Sequence, residues 1–208
     1  MKFRRKSAPA EPGVGPDVEE EGVAEVDAAP VTGPFDVDDL AADDPLARID
    51  LGSLLIPAAE GVELRLQVDE ATDQVQSVLL AGEEGAVEVR VFAAPRNGDL
   101  WGEIRPRLAA DFAQRGGTAT ERTGPFGPEV LGQLTVRTPD GRTGTQVSRV
   151  IGVNGPRWML RATLLGRPAV EPESAQPWED LIAGIAVRRG SQAMPSGAEL
   201  AVTMPPRD

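Results

Sequence analysis

The sequence predicts an α+β protein: one twisted antiparallel β-sheet of about seven or eight strands covered by two helices. Three observations predict it. Most apolar residues after Asp50 recur with period two in runs bounded by hairpin turns. Two segments break that rhythm with helical spacing. The connections between strands are too short for parallel crossovers.

Residues 51–57 (LGSLLIP) form a short strand or edge segment closed by Pro57. Residues 62–70 alternate Val62, Leu64, Leu66 and Val68 with Glu63, Arg65 and Gln67, the pattern of a half-buried strand. After the turn EATD, residues 75–81 make a second strand. GEEG then turns the chain into 87–93, whose Val87, Val89 and Val91 face one way. These three strands make a meander.

Asp99 is placed to cap a helix over 100–115, on which Trp101, Ile104, Leu108 and Phe112 form one stripe. Gly116 and Gly117 end it. Pro106 lies inside and predicts a kink rather than two helices. Residues 118–127 read as an exposed strand and turn. Strands 130–138 and 144–153 are joined across Pro139-Asp140-Gly141. Asn154-Gly155 leads into 157–166, and Pro156 predicts a loop wider than two residues there. Either of the loop lengths compatible with this pattern places Val147, Arg149, Ile151 and Val153 on one face with Trp158, Leu160, Ala162 and Leu164. A linker (167–174), a helix (175–184) bearing Trp178, Leu181 and Ile182, and a strand (185–189) follow.

Charge divides the chain. The net charge is −12 over 208 residues, but residues 1–44 hold four basic and twelve acidic side chains, a balance of −8. The rest, with 17 arginines against 21 acids, balances at −4. The stretch 1–44, rich in Pro, Gly and acids, reads as a disordered acidic tail, with Phe35, Val37 and Leu40 as anchors at its end. Residues 45–190 make the single folded domain, and 191–208 a flexible C-terminal tail. The basic start MKFRRK is followed by SAPAEPGVGPD rather than an apolar run, so no secretory signal is expected. No membrane span is expected either, and the chain is expected to be cytoplasmic.

The composition excludes much chemistry. Histidine, cysteine and tyrosine are absent, which removes imidazole bases, thiol nucleophiles, phenolic acids and disulfides. Both lysines lie in the first six residues. No phosphate-binding loop, dinucleotide fingerprint or nucleophile elbow occurs, and no cofactor is expected. Three features remain. Asp69, Glu70 and Asp73 fall in one turn and could offer oxygen ligands to Mg²⁺ or Ca²⁺, although a polar hairpin turn is the ordinary reading. Arg137, Arg142, Arg149, Arg157, Arg161 and Arg167 make 137–167 the one positive stretch, a weak nucleic-acid candidate whose arginines alternate between both faces. Arg149 lies on an apolar face near Leu160 and Trp158, as a snorkelling or ion-paired side chain or as a contact for an anion or partner. Arg157 and Arg161 share the opposite face. The candidate binding residues are therefore Arg149, Arg157, Trp158 and Arg161.

The succession GPFD (33–36), RIDLGSL (48–54), QVDEATDQV (67–75), FAAPRNGDLWGEIR (92–105), GPFG (124–127) and GVNGPRW (152–158) resembles the actinobacterial domain-of-unknown-function family DUF3710. The excess of 19 arginines over 2 lysines fits a high-GC source. The strand and helix order is also similar to the PsbP-like sandwich. The resemblance implies a cytoplasmic α+β domain and no catalytic residues. The leading expectation is a non-catalytic domain that binds a protein partner. The alternatives are a carboxylate-only metal-assisted enzyme and a weak nucleic-acid binder.

Overall fold

A computed structural model describes residues 33–69, 74–137 and 141–204. The expected acidic tail over 1–32, Glu70 and Asp73 of the carboxylate turn, and Pro139 and Asp140 of the hairpin lie outside the described residues.

The strands are β1 (Phe35–Asp36), β2 (Arg48–Asp50), β3 (Leu54–Pro57), β4 (Glu63–Asp69), β5 (Gln74–Ala81), β6 (Gly85–Ala93), β7 (Thr118–Gly124), β8 (Gly127–Arg137), β9 (Thr143–Gly155), β10 (Trp158–Gly166) and β11 (Ala186–Val187). The helices are α1 (Leu100–Gln114) and α2 (Pro172–Ala183). Seven strands form an antiparallel sheet in the order β4-β5-β6-β10-β9-β8-β7. This is the expected α+β architecture, with the meander β4-β5-β6 intact. A second, four-stranded sheet, β1-β11-β3-β2, was not anticipated. Its β1 and β11 are two-residue strands that pair in parallel, too short to leave a periodicity.

The large sheet is covered on both faces. One face carries Val87, Val89, Val91, Leu160, Ala162 and Leu164, packed against Trp178, Leu181 and Ile182 of α2 and against the small sheet. The other carries Val130, Val150 and Met159 against Leu100, Trp101 and Phe112 of α1. Burying such side chains contributes about 1.5–3 kcal/mol each, so these layers hold the fold together. The helix α1 begins as expected: Asp99 Oδ1 accepts from the Gly102 amide at 2.8 Å. It runs unbroken past Pro106. Its end is a Schellman turn, with Gly117 N donating to Phe112 O and Gly116 N to Ala113 O. Trp101 can lie flat on β9 because position 152 is glycine; a Cβ there would sit 2.1 Å from the indole.

Three boundaries differ from the sequence reading. Helix α2 starts at Pro172, not 175, because proline at a first helical position gives up an amide that has no partner there anyway. The β9–β10 turn consists of Pro156 and Arg157 alone, since Gly155 pairs with Trp158. Proline is accommodated because it occupies the turn itself and owes no ladder bond. At the C-terminal end, residues 197–203 are packed rather than trailing. Gly197 N donates to Ala93 O, Ala93 N to Ala198 O, Leu200 N to Val91 O and Thr203 N to Leu51 O. Leu200 and Val202 are buried in the main core. Among the described residues no helix is long and apolar enough to cross a membrane.

Candidate functional site

The period-two facing is correct for the β9–β10 hairpin: Arg149 stands opposite Leu164 and Ile151 opposite Ala162. Arg149 thus lies on the apolar face, but beside Leu164 and Leu131 rather than beside Leu160 and Trp158. Only 4% of it is exposed. Its Nε donates to Glu129 Oε1 at 2.8 Å, and its Nη1 meets Glu179 Oε1 of α2 at 2.5 Å. Arg122 reaches the same Glu129 oxygen from β7 at 2.6 Å. Burial alone opposes the charge on Arg149, yet bonds to Glu129 and then Glu179 outweigh it, so the guanidinium is held more firmly protonated than usual. Its Nε and Nη1 are both directed at these carboxylates. Arg149 is a pin between the sheet and α2.

Trp158 is also internal. Its ring lies over Gly155, where a Cβ would come within 2.1 Å of it. The glycine of Asn154-Gly155 therefore makes room for an indole instead of forming the turn. Trp158 Nε1 donates to Asp36 Oδ2 at 2.8 Å. Asp36 Oδ1 accepts from the Asp38 amide at 3.1 Å, which fixes the short turn Val37–Asp39.

That turn is one wall of a cleft of about 530 Å³, within the size range of ligand pockets. The opposite wall is built from the β9–β10 turn and the residues after β11, with Arg157, Arg188, Arg189 and Ser191. The parallel pairing of β1 with β11 puts Asp36 beside Val187 and so brings the walls together. Arg188 is tied to Asp50 at 2.9 Å and to the Gly52 carbonyl at 2.7 Å. Arg157 and Arg189 are held differently. Arg189 Nε donates to the Arg157 carbonyl at 3.1 Å, and Arg157 Nη2 donates to the Gly190 carbonyl at 3.0 Å. Among the described residues neither has a carboxylate partner. Arg157 also has φ +62°, a conformation costly for a residue with a Cβ.

Arg161 lies on the opposite face of β10, with its guanidinium 5.5 Å from the centroid of the Phe92 ring. The four predicted residues therefore do not converge. Arg157 and Trp158 contribute to one cleft, Arg157 as lining and Trp158 by fixing its wall; Arg149 pins the core, and Arg161 stands apart. The remaining arginines of 137–167 are scattered too, with Arg167 paired to Glu84 and Glu171. Asp69 accepts from Gln76 Nε2 at 2.7 Å. Among the described residues no group of three acidic side chains could hold a metal ion. Sequence reasoning missed Asp36, Arg188 and Arg189. Asp36 falls in a stretch whose composition reads as tail, and nothing local announces its indole partner.

The family model described as "Protein of unknown function (DUF3710)" matches residues 33–208. The chain belongs to DUF3710. The match begins just before Asp36 and spans the cleft, so both walls are part of the DUF3710 domain. No curated protein matches the chain. Among solved structures, a Bacteroides thetaiotaomicron protein is similar at 11% identity and a TM-score of 0.42, covering 72% of this chain. The DUF3710 chain spans about half of that protein, 52% of its length. Cyanobacterial PsbP (CyanoP) from Synechocystis is similar at 12% identity and a TM-score of 0.36, covering 71% of this chain and 97% of its own.

Proposed function

We propose that this chain is a non-catalytic, cytoplasmic protein-binding domain whose docking site is the cleft between the Val37–Asp39 turn and the β9–β10 turn. The observation that carries the reading is the state of Arg157 and Arg189. Arg157 gives one donor to a backbone carbonyl and Arg189 two, to Arg157 O and Gln192 O, and among the described residues neither is neutralised by a carboxylate. Guanidinium forks left in this state on a cleft wall favour a carboxylate delivered from outside. Asp38 and Asp39, exposed on the facing wall, favour a basic or amide group beside it. A protein segment carrying an acidic side chain next to a polar or basic one meets both walls.

The test is cross-linking and affinity purification from the native cell, comparing the wild-type chain with Arg157→Ala/Arg189→Ala and with Arg65→Ala as control. The reading expects a partner recovered with wild type and Arg65→Ala and lost with the double variant. Recovery of the same proteins by all three overturns it.

A further inference from the structure

Helix α1 packs on β7, β8 and β9. Farther across the same face of the sheet lie Arg90 of β6 and Arg161 of β10, directly opposed in the β6–β10 ladder. Both guanidinium groups stack on one ring, Phe92, at 5.8 and 5.5 Å from its centroid. Like charges directly opposite each other destabilise a sheet, and the ring offsets only part of that repulsion.

The hydrogen bonding of the pair is incomplete. Arg90 is paired with Glu199, which the packed C-terminal segment places there. That contact uses Nη2, while Arg90 Nε is buried and has no acceptor among the described residues. Arg161 makes no hydrogen bond or ion pair among the described residues. Burial and then the neighbouring Arg90 make it less readily protonated than an ordinary arginine, although Glu88 and Glu199 pull the other way. Neither carboxylate bonds to it. A half-buried guanidinium with its fork unused, beside a buried donor with no acceptor, calls for oxygen atoms.

We propose that Arg161 and Arg90 form a binding site for a small oxyanion, a phosphate or carboxylate group, on the Phe92 side of the large sheet. Two oxygens in a plane match the Arg161 fork, and the directly opposed Arg90 adds a second positive charge beside it. Glu199 is the internal competitor, because it already holds the outer nitrogen of Arg90. The site is separate from the cleft, and its fate does not decide the cleft's.

The experiment follows the Nε–H signals of Arg90 and Arg161 in the full ¹⁵N-labelled chain. Sodium phosphate and sodium acetate are added in separate titrations at constant ionic strength, so that screening stays fixed. Saturable shifts of both signals are expected. Saturation by phosphate alone assigns a phosphoryl ligand, and saturation by acetate alone a carboxylate. Arg161→Met should weaken binding about tenfold or more, and Glu199→Gln should tighten it several-fold. Shifts that stay linear in both titrations, or saturation unchanged in Arg161→Met, overturn the proposal. Should Arg161→Met fail to fold, Glu199→Gln decides alone, and equal or weaker binding in it overturns the site.

Discussion

Arg149 and Arg157 belong to the same hairpin and carry the same chemical group, yet the two ends of that hairpin treat it in opposite ways. Along β9 the guanidinium is buried between Glu129 and Glu179, with carboxylates from β8 and α2 on it. At the β9–β10 turn the Arg157 guanidinium meets, among the described residues, only a carbonyl, on a backbone held at positive φ. The first arrangement fastens two layers together. The second leaves charge available at the mouth of a cleft and accepts strain to do so. The difference teaches that arginine count along a strand says little about binding; what matters is where the acids of other elements fall.

The largest test of that contrast is Arg149→Met. It leaves Glu179 buried without its cation and Glu129 with Arg122 alone, and a loss of about 3–5 kcal/mol is expected in denaturant unfolding. A loss below about 1 kcal/mol would erase the distinction between the two ends. Next comes Trp158→Phe, which keeps the ring but removes the donor to Asp36. A loss of about 1–3 kcal/mol is expected, with faster amide exchange at Asp38. Arg157→Gly is smaller and of opposite sign. Relief of the positive φ should raise stability by about 1 kcal/mol, while partner recovery falls. If stability falls instead, the Arg157–Gly190 bond is structural and the two arginines are alike.

The smallest effect concerns Arg188. Its hydrogen bond to Asp50 holds that carboxyl below its ordinary value, followed by the Gly52 amide. A lowered folded-state pKa means stability present above the unfolded value, near pH 4, and lost as pH falls through the folded one. The pair is exposed, so Arg188→Met should cost less than about 1 kcal/mol at pH 7. The part of that difference owed to Asp50 should close as the pH falls through its lowered folded-state value. A gap that does not shrink at all there would place the effect in the Gly52 carbonyl bond and packing rather than in the Asp50 charge.

The faces of β9 and β10 were legible in the sequence because alternation is a local rule, and it put Arg149 on the buried side. What buries it was not legible: Glu129 arrives from the neighbouring strand and Glu179 from a helix. The turn signal misled at Asn154-Gly155, where the dipeptide stays in the ladder and its glycine serves the packing of Trp158. The cleft was invisible for a similar reason. It depends on β1 and β11, two-residue strands that exist only because the rest of the molecule presents edges to them. The cap and terminal glycines of α1, by contrast, act within a few residues and were readable in advance.

The segment 197–203 has a consequence for how the chain reaches its native state. Leu200 and Val202 enter a core whose other members begin at Leu51, so the interior is closed by a contact between widely separated parts of the chain. Closure over so much intervening chain is entropically slow. Until it happens, the edge of β6 near Val91 lacks its backbone partners. The vulnerable interval in folding is therefore the one before this long-range contact forms, while that strand edge is still bare.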